Sequence, residues 1–297
     1  MDSKCLPLSV VFLTFNSEAY IETSLRSVVT WAGEIFVVDS GSKDATLEIV
    51  RRYTDRVVYH PFQNYAQQRN WAQENLRLSF EWVFHLDADE QATPELRESL
   101  ISLFAGGGPE DVDGFLVARR VVFMGRWIRH GGMYPVYHHR IFRRGKGRCE
   151  ERLYDQHFIV YGNTKIISGD LIDLVTTDID TWTQRHIRWA GLEVAEQFNI
   201  SNQQNELRVS PKLMGSPIER KRWARTSVYY HLPLFFRALG YFLYRYFLRL
   251  GFLDGPQGLI FHVLQGFWYR FYVDAKIWEM RYQAQQSQSG NPGPSEG

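Results

Sequence analysis

The chain has 297 residues, which is enough for one large α/β domain and an appendage. Its formal net charge is +1 at pH 7, so no overall electrostatic attraction to nucleic acid is expected. The two cysteines, Cys5 and Cys149, are too few for a disulfide framework or a cysteine metal cluster, which fits a reducing compartment. The first residues lack the basic stretch and apolar core of a signal peptide. We therefore expect the catalytic part to stay in the cytoplasm.

Apolar runs and helical patterns alternate along the first hundred residues. Strands are predicted at 8–13, 34–38, 57–58 and 82–86, and helices at 19–31, 44–52 and 66–76. This alternation predicts a Rossmann-like α/β fold, a mostly parallel sheet with helices on both faces. After a glycine-rich break at 106–109, further strands are predicted at 114–123 and 134–143 and a helix at 182–198.

The fourth predicted strand runs into two aspartates one residue apart, Asp87 and Asp89. Alternate side chains of a strand share a face, so both can point into the cleft where open α/β sheets bind ligands. Hard carboxylate oxygens at this spacing suit Mg²⁺ or Mn²⁺, which would then hold the phosphates of a nucleotide. The alternative is a solvated turn before a helix with Thr93 as N-cap and Pro94 in its first turn.

Polar residues follow three of the predicted strands. They are Thr14-Phe15-Asn16, Asp39-Ser40-Gly41-Ser42 and Asp87-Ala88-Asp89. Their order and spacing, with Arg69-Asn70 at the start of the third helix, resemble family 2 glycosyltransferases of the GT-A fold over about the first 190 residues. For Asp39 to Ser42, an ordinary β–α turn is the alternative interpretation.

The resemblance implies a role for each of these residues. In that family the first aspartate after the second strand contacts the nucleotide base, a role that falls to Asp39 and is physically reasonable for a carboxylate accepting from an N–H group. Thr14, Asn16 and Ser42 would lie near the base and ribose, and Arg69 near the phosphates. Asp89 resembles the direct metal ligand, with Asp87 assisting it and lying closer to the sugar or ribose.

The family also implies the chemistry of transfer from a nucleoside-diphosphate sugar. In inverting members one carboxylate deprotonates the acceptor hydroxyl as it attacks the anomeric carbon. Relatives resembling lipopolysaccharide-core enzymes place this carboxylate in a His-Glu pair after a basic strand, and the matching stretch here is 147–153. The base role therefore falls to Glu151, with Glu150 in place of the histidine. Glu150 and Asp155 stay open as alternative bases, and the histidine of a later Leu-x-His motif is replaced within 169–173.

The basic and aromatic segment 119–144 resembles the acceptor-side loop and strand of the family. Trp127 could stack on a sugar, Tyr134 lies in the same loop, and Arg140 or Arg143 could hold a diphosphate. A metal site at His138-His139 is disfavoured, because neighbouring side chains in a strand point to opposite faces.

The C-terminal quarter is basic and aromatic, with ten basic and four acidic residues over 218–282. Arg237, Tyr241, Arg245 and Arg249 fall four residues apart and form a polar stripe on an apolar helix. Basic helices with aromatic flanks such as Trp268 suit the headgroup region of a membrane, and no stretch reaches the roughly 20 uncharged residues that span one. The alternative is that these helices pack on the catalytic domain or form an oligomer interface. The segment 251–258 resembles a signature of bacterial envelope-polysaccharide enzymes, which suggests an acceptor carried on a lipid.

These observations predict three regions. A GT-A catalytic domain is expected over 1–215, with a donor half at about 1–105 and an acceptor half at about 110–215. A helical region for membrane association or oligomerisation follows at 216–282, and a disordered tail at 283–297.

The resemblance implies an inverting, metal-dependent glycosyltransferase that uses Mg²⁺ or Mn²⁺ and a nucleoside-diphosphate sugar, with a UDP-sugar as the expected donor. Its acceptor would be a lipid-linked or lipopolysaccharide-type saccharide, and its place the cytoplasmic face of the bacterial inner membrane, as a peripheral protein or homo-oligomer. Two alternatives stay open: transfer to a polyisoprenyl phosphate, and a nucleotide-sugar-binding scaffold subunit with little activity.

Overall fold

The computed structural model describes residues 5–175, 178–200 and 208–289, and its centre is a nine-stranded sheet. The strands in chain order are β1 (Leu6–Thr14), β2 (Ala32–Asp39), β3 (Val57–Tyr59), β4 (Trp82–Asp87), β5 (Glu90–Ala92), β6 (Gly114–Phe123), β7 (Arg126–Ile128), β8 (Tyr137–Arg143), β9 (Gly147–Cys149), β10 (Phe158–Val160) and β11 (Thr164–Leu174). The sheet order is β3-β2-β1-β4-β8-β6-β11-β5, with β7 on the end of β6, and β9 and β10 form a separate ribbon.

The sheet is parallel in its first half and mixed in its second. β1 pairs in parallel with β2 and β4, and β2 with β3, as the alternation predicts. β8 is antiparallel to both β4 and β6, whereas β11 is parallel to β6. The predicted mostly parallel sheet is therefore correct for the donor half only. Because β6 runs in the same direction as β4, the carboxyl ends of β1, β2, β4, β6 and β11 meet at one edge.

Helices cover both faces of the sheet. In chain order they are α1 (Ile21–Arg26), α2 (Thr46–Arg51), α3 (Tyr65–Asn75), α4 (Pro94–Phe104), α5 (Ile179–Ile200), α6 (Pro217–Trp223), α7 (Phe236–Leu243), α8 (Gly255–Phe261) and α9 (Tyr269–Ser289), with π-helical turns at Ala224–Val228, Tyr244–Leu248 and His262–Trp268. Along β1, Val10 and Phe12 join one apolar cluster and Val11 joins another on the opposite face. Thr93 caps α4 through a bond from the Leu96 amide, as predicted.

The C-terminal helices pack against the catalytic part of the chain. Ala190 and Val194 of α5 share an apolar cluster with Tyr269, Val273 and Ile277 of α9. The predicted domain boundary at 215 therefore does not separate two packing units. α9 also continues to Ser289, so the first part of the predicted disordered tail is helical, while 290–297 lie outside the described residues.

The basic stripe of the C-terminal region faces inward. Arg237 and Arg245 are each 4% exposed, and the Arg237 Nε donates to Asp274 Oδ1 at 2.7 Å. Trp268 packs between the apolar clusters and stacks on Tyr272. The prediction that Arg237, Arg245 and Trp268 contact a membrane is therefore wrong, because these side chains pack against other parts of the protein. The apolar side of α7 faces outward instead. Of the four residues predicted to contact a membrane, only Arg249 is exposed. In the described ranges, no helix has the length and apolar character needed to cross a bilayer.

Candidate active site

Two arginines converge on the first aspartate of the pair at the carboxyl end of β4. The Arg69 Nη2 donates to both Asp87 oxygens, at 2.9 and 3.1 Å, and the Arg140 Nη2 donates to Asp87 Oδ2 at 2.8 Å. Arg140 also pairs with the buried Glu90. Burial opposes ionisation of Asp87, but Arg140 and Arg69 outweigh it and hold the pKa of Asp87 well below its usual range. Asp87 is thus a charged anchor that fixes two guanidinium groups at the site.

The second aspartate of the pair has a different environment. The carboxylate of Asp89 makes no hydrogen bond or ion pair with a residue of the described ranges, and only its backbone oxygen is used, by the Leu174 amide at 3.1 Å. Burial, followed by repulsion from Asp173, Asp87 and Glu90, raises the pKa of Asp89 to about 8. A half-buried carboxylate without a partner has the chemistry of a ligand for a divalent cation.

The donor set at Asp89 fits Mg²⁺ or Mn²⁺ only if the substrate contributes. Within the ranges that the structure describes, no group of three or more His, Cys, Asp or Glu side chains is arranged to hold a metal alone. Mg²⁺ in nucleotide enzymes commonly uses one or two carboxylates, with substrate phosphates and water completing the shell. Asp89 would hold such an ion, and Asp87, already bonded to two arginines, would assist indirectly.

The predicted nucleotide-binding residues meet at the ends of β1 and β2. Thr14 lies opposite Asp39 in the register of these strands. The Asp39 carboxylate accepts from the amides of Gly41 and Ser42, at 2.8 and 3.0 Å, and from Ser42 Oγ at 2.5 Å. Asn16, at φ 47°, donates its amide to the same Ser42 hydroxyl at 2.9 Å. Asp39 therefore stabilises the β–α turn at 39–42, as expected from the alternative interpretation that this segment is an ordinary turn.

One buried hydroxyl in this loop cluster is left for a ligand. Thr14 is 4% exposed, and its Oγ1 has no hydrogen-bond partner among the described residues. Buried polar groups in folded proteins almost always have a partner. The ends of β1 and β2 thus combine a hydrogen-bonded loop with an unsatisfied hydroxyl at the edge where open α/β sheets bind ligands.

Two of the predicted acceptor-side residues are neighbours. The rings of Trp127 and Tyr134 lie 5.0 Å apart in an edge-to-face arrangement, and Arg120 lies 4.8 Å over the indole. The Tyr134 hydroxyl donates to Asp170 at 3.2 Å. β7, which carries Trp127, pairs with the carboxyl end of β6, so the aromatic pair lies at the same sheet edge as the aspartates. An aromatic surface with a fixed orientation is suited to stacking on a sugar.

The other two predicted acceptor residues lie elsewhere. Arg143 pairs with Trp82 at the start of β4, about 16 Å along the strand from Asp87, and donates to the Val112 carbonyl at 3.0 Å. It is therefore at the wrong end of the strand for an acceptor role. Arg140 is 6% exposed and belongs to the donor-side network around Asp87. The sequence pattern could not distinguish these positions, since strand direction and register decide them.

Glu151, the expected base, is half-exposed, and its carboxylate pairs only with Arg148, three residues away in the chain, among the described residues. Its side chain is 49% exposed and accepts from Arg148 at 3.1 Å, next to Glu74 of α3. It makes no contact in the described structure with Asp87 or Asp89. Its carboxylate is nevertheless available to a substrate, because one exposed arginine is its only described partner.

The two alternative bases are already engaged. Both oxygens of the buried Glu150 accept hydrogen bonds, from Arg222 at 2.7 Å, the His157 amide at 2.9 Å and the Val209 amide at 3.1 Å. Burial raises the pKa of Glu150. Asp155 pairs with Arg225 at 2.6 Å; burial opposes its ionisation, but Arg225 outweighs it and lowers the pKa of Asp155, which weakens it as a base. Of the three carboxylates, Glu151 is the most exposed, at 49% against 31% for Asp155 and 0% for Glu150.

Three further charged residues, Asp173, Arg119 and Arg185, lie at the Asp89 end of the site without having been predicted there. Asp173 stands opposite Glu90 in the β5–β11 register and pairs with Arg119 at 3.2 Å. Arg185 of α5 is half-buried, within electrostatic reach of Asp89, and has no ion pair in the described part of the chain. The sequence offered a weak signal for Asp173, which occupies the place of the missing Leu-x-His motif. It offered none for Arg185, because the side of α5 that faces the sheet depends on tertiary packing.

Acidic, basic and hydroxyl side chains gathered at the carboxyl edge of an α/β sheet define the class of this protein as an α/β enzyme with its ligand site at that edge. The chain belongs to glycosyl transferase family 2, whose model matches residues 9–171, and is a glycosyltransferase. The family resemblance seen in the sequence is thereby confirmed, and the observed α/β sheet with helices on both faces agrees with the fold that the resemblance implies.

Individual relatives share different extents of the chain. The lipopolysaccharide core biosynthesis glycosyltransferase LpsC of Rhizobium meliloti (strain 1021) is 31% identical over 279 residues, 92% of this chain and 93% of that protein. An uncharacterized glycosyltransferase of Rickettsia bellii (strain RML369-C) is 28% identical over 158 residues, 53% of this chain and 49% of that protein. Among solved structures, S. aureus TarS 1–349 has a TM-score of 0.45 at 15% identity, with 97% of this chain and 93% of that chain covered.

Proposed function

We propose that this protein transfers a sugar from a UDP-sugar to a lipid-linked or core saccharide in lipopolysaccharide synthesis, with inversion and with Mg²⁺ or Mn²⁺ bound at Asp89. The observation that carries the proposal is the unpartnered Asp89 carboxylate beside the Asp87–Arg69–Arg140 network. The acceptor class is supported by the relative LpsC, whose similarity extends over nearly the whole chain. A scaffold subunit has no physical need for this set of metal and phosphate ligands.

Each residue of the site would have its own role in a single displacement, in which the acceptor hydroxyl attacks the donor sugar and the nucleoside diphosphate leaves. A divalent ion would supply charge stabilisation to the diphosphate leaving group. Arg185 is placed to add a second positive charge at the Asp89 end, and Arg69 is held by Asp87 on the donor side. Trp127 and Tyr134 would orient the acceptor sugar, and Glu151 would accept the proton of its attacking hydroxyl. The proton balance is complete, because the hydroxyl proton passes to Glu151 and the nucleoside diphosphate leaves as the anion.

Transfer across a panel of UDP-, GDP- and dTDP-sugars tests the proposal. With Mn²⁺ or Mg²⁺ and a crude membrane-lipid extract as acceptor source, we expect release of UDP from one donor, suppressed by EDTA and restored by added metal. Release of a different nucleotide would correct the donor. Tight nucleotide binding without turnover would favour the scaffold function, and labelling of polyisoprenyl phosphate in place of a saccharide would favour the alternative acceptor.

We also propose that the protein lies on the cytoplasmic face of the inner membrane through the outward side of α7 and the turn after it, here called the apolar face. Its exposed residues include Phe236 at 77%, Phe247 at 53% and Leu248 at 76%, with Leu239 and Leu243 between them. Contiguous exposed apolar area of this kind usually marks a protein or membrane contact. The exposed Arg249 beside it matches an anionic lipid surface.

The apolar face is attached to the acceptor-side loop. The Arg245 Nε donates to the Gly131 carbonyl at 2.9 Å, and the Asp254 carboxylate is 2.7 Å from the His130 ring and accepts the His130 amide at 2.9 Å. These bonds connect the helices that would contact lipid to the loop that follows β7, the strand that carries Trp127. A saccharide attached to a membrane lipid would therefore reach the site from this side.

Serine substitution at both Phe236 and Leu248 is expected to weaken binding to vesicles of phosphatidylethanolamine and phosphatidylglycerol at least tenfold. Each side chain contributes about 1.5–3 kcal/mol when fully buried, and tenfold corresponds to about 1.4 kcal/mol. Ile166→Ser, at a position 53% exposed on β11, is the matched control and should bind like wild type. Unchanged vesicle binding together with conversion of an oligomer to a monomer in sedimentation would assign the apolar face to a homo-oligomer interface instead.

A further inference from the structure

A second polar cleft lies between the loop after β9 and the start of the C-terminal region. It is a small cleft, and the space between its walls is about 230 Å³ when the open solvent at its mouth is included. Its lining residues are Asp155, His157, Ile218, Lys221, Arg222 and Arg225. Arg222 and Arg225 pair with the alternative bases Glu150 and Asp155, and in the described structure none of the lining side chains bonds to Asp87 or Asp89.

Several buried nitrogen atoms of this cleft have no hydrogen-bond partner. His157 and Arg222 are 7% and 4% exposed, yet the His157 Nδ1 and the Arg222 Nη1 are without a partner among the described residues, and so is the Arg225 Nε. Because nearly all buried polar atoms of native proteins are hydrogen-bonded, these three atoms, on residues that line one cleft, are candidates for bonds to a ligand that supplies acceptors.

The cleft also has a positive charge that is not neutralised. Arg225 pairs with Asp155 at 2.6 Å, and Arg222 pairs with Glu150 at 2.7 Å, so these four charges balance. Lys221 makes no ion pair within the described ranges, and Arg119 and Arg225 lie within its electrostatic reach, as does Asp155. A ligand with negative oxygen atoms would satisfy both the free ammonium group and the unpartnered nitrogens.

The cleft is related to the Asp89 end of the active site through Arg119. Arg119 is within electrostatic reach of Lys221 and of His138, and it pairs with Asp173, which in turn is close enough to Asp89 to raise its pKa. The ring of His138 stacks on the ring of His157, a lining residue of the cleft, with 5.3 Å between the ring centroids. An acceptor bound beside Asp89 would extend past Asp173 and Arg119 to place an anionic substituent in the cleft.

We propose that this cleft binds a phosphate group carried by the acceptor, an inference that rests on the proposed transferase function. A phosphate offers more acceptor oxygens than a carboxylate, and charge-assisted bonds from lysine and arginine are the strong ones. The phosphate belongs either to a phosphorylated saccharide or to the lipid that carries it. Both sources present the same chemistry to Lys221, and the experiment below separates them.

Binding of inorganic phosphate to the full chain, measured by calorimetry after the donor site has been saturated with UDP and Mn²⁺, is the first test. We expect wild type to bind phosphate, Lys221→Ala to bind it at least tenfold more weakly, and UDP affinity to be equal in both. Lys221 is exposed, so its alanine variant should fold. Lys212→Ala, which removes an exposed lysine paired with Glu219 at 3.3 Å, is the matched control and should bind phosphate normally.

Failure of this inference can be distinguished from failure of the proposed function. If wild type binds UDP but takes up no phosphate, or if Lys221→Ala binds phosphate as tightly as wild type, the cleft is not a phosphate site. If UDP itself does not bind, the proposed function fails first.

Acceptor kinetics then identify the source of the phosphate. A rise in KM of Lys221→Ala for a phosphorylated core oligosaccharide, absent after phosphatase treatment of that acceptor, assigns the saccharide phosphate. A rise seen only with lipid-linked acceptors assigns the lipid phosphate. An unchanged KM for both acceptors overturns the proposal.

Discussion

Asp89→Asn is expected to lower the rate of sugar transfer by at least 10²–10³-fold while leaving the protein folded. Asparagine keeps the size of the side chain but removes the charge that would hold the metal, and loss of one electrostatic contact to a developing charge costs about this much. The carboxylate has no described partner to lose, and its neighbours Asp173, Asp87 and Glu90 repel it. The melting temperature should therefore be unchanged or higher. Initial rates of UDP release with saturating Mn²⁺, together with thermal unfolding, check both parts.

Asp87→Asn is the informative comparison for this variant. It leaves Arg69 and Arg140, both nearly buried, with reduced neutralisation, and breaking a buried pair typically costs about 3–5 kcal/mol. We expect Asp87→Asn to lose both stability and activity, whereas Asp89→Asn loses activity alone. Asp111→Asn, at an exposed position paired with Lys165, should change neither. Full turnover of Asp89→Asn would exclude the metal assignment, whatever its melting temperature.

The donor half could be predicted from local patterns, because its strands are short apolar runs each followed by a helix. A parallel sheet built in this way brings every strand end to one edge, which is why Thr14, Asp39 and Asp87 could be grouped before the structure was known. The different roles of Asp87 and Asp89 could not be predicted from the sequence. Only the positions of Arg69 and Arg140 show that one carboxylate is neutralised and the other is not.

The C-terminal helices show where pattern alone fails. A helix with arginines on one side and aromatic residues on the other can expose either side, and the sequence favours the charged one. Here Arg237 donates to Asp274 and Arg245 donates to the Gly131 carbonyl, and both guanidinium groups lie over aromatic rings. These contacts offset the free-energy cost of burying the two charges. These partners are distant in sequence, from about 37 to 114 residues away, and no local pattern reports them.

The adjacent glutamates Glu150 and Glu151 are expected to respond to the same substitution in opposite ways. Glu151→Gln should retain wild-type melting temperature and UDP affinity but lose about 10²–10⁴-fold in turnover, the usual contribution of a general base. Its exposed side chain has only Arg148 to lose. Glu81→Gln, another exposed glutamate paired with an arginine but placed at the far end of β4, is the matched control and should have normal turnover.

Glu150→Gln should instead destabilise the protein by about 3–5 kcal/mol, because an amide NH₂ would face the donors of Arg222, His157 and Val209 in a buried position. For a chain of this size the expected loss in melting temperature is about 2–4 °C for each kcal/mol. Thermal unfolding and single-turnover rates, measured on both variants below the lower melting temperature, separate the two effects. If Glu150→Gln is stable and inactive while Glu151→Gln turns over normally, the base is Glu150, and the loop must rearrange on acceptor binding to release it from Arg222.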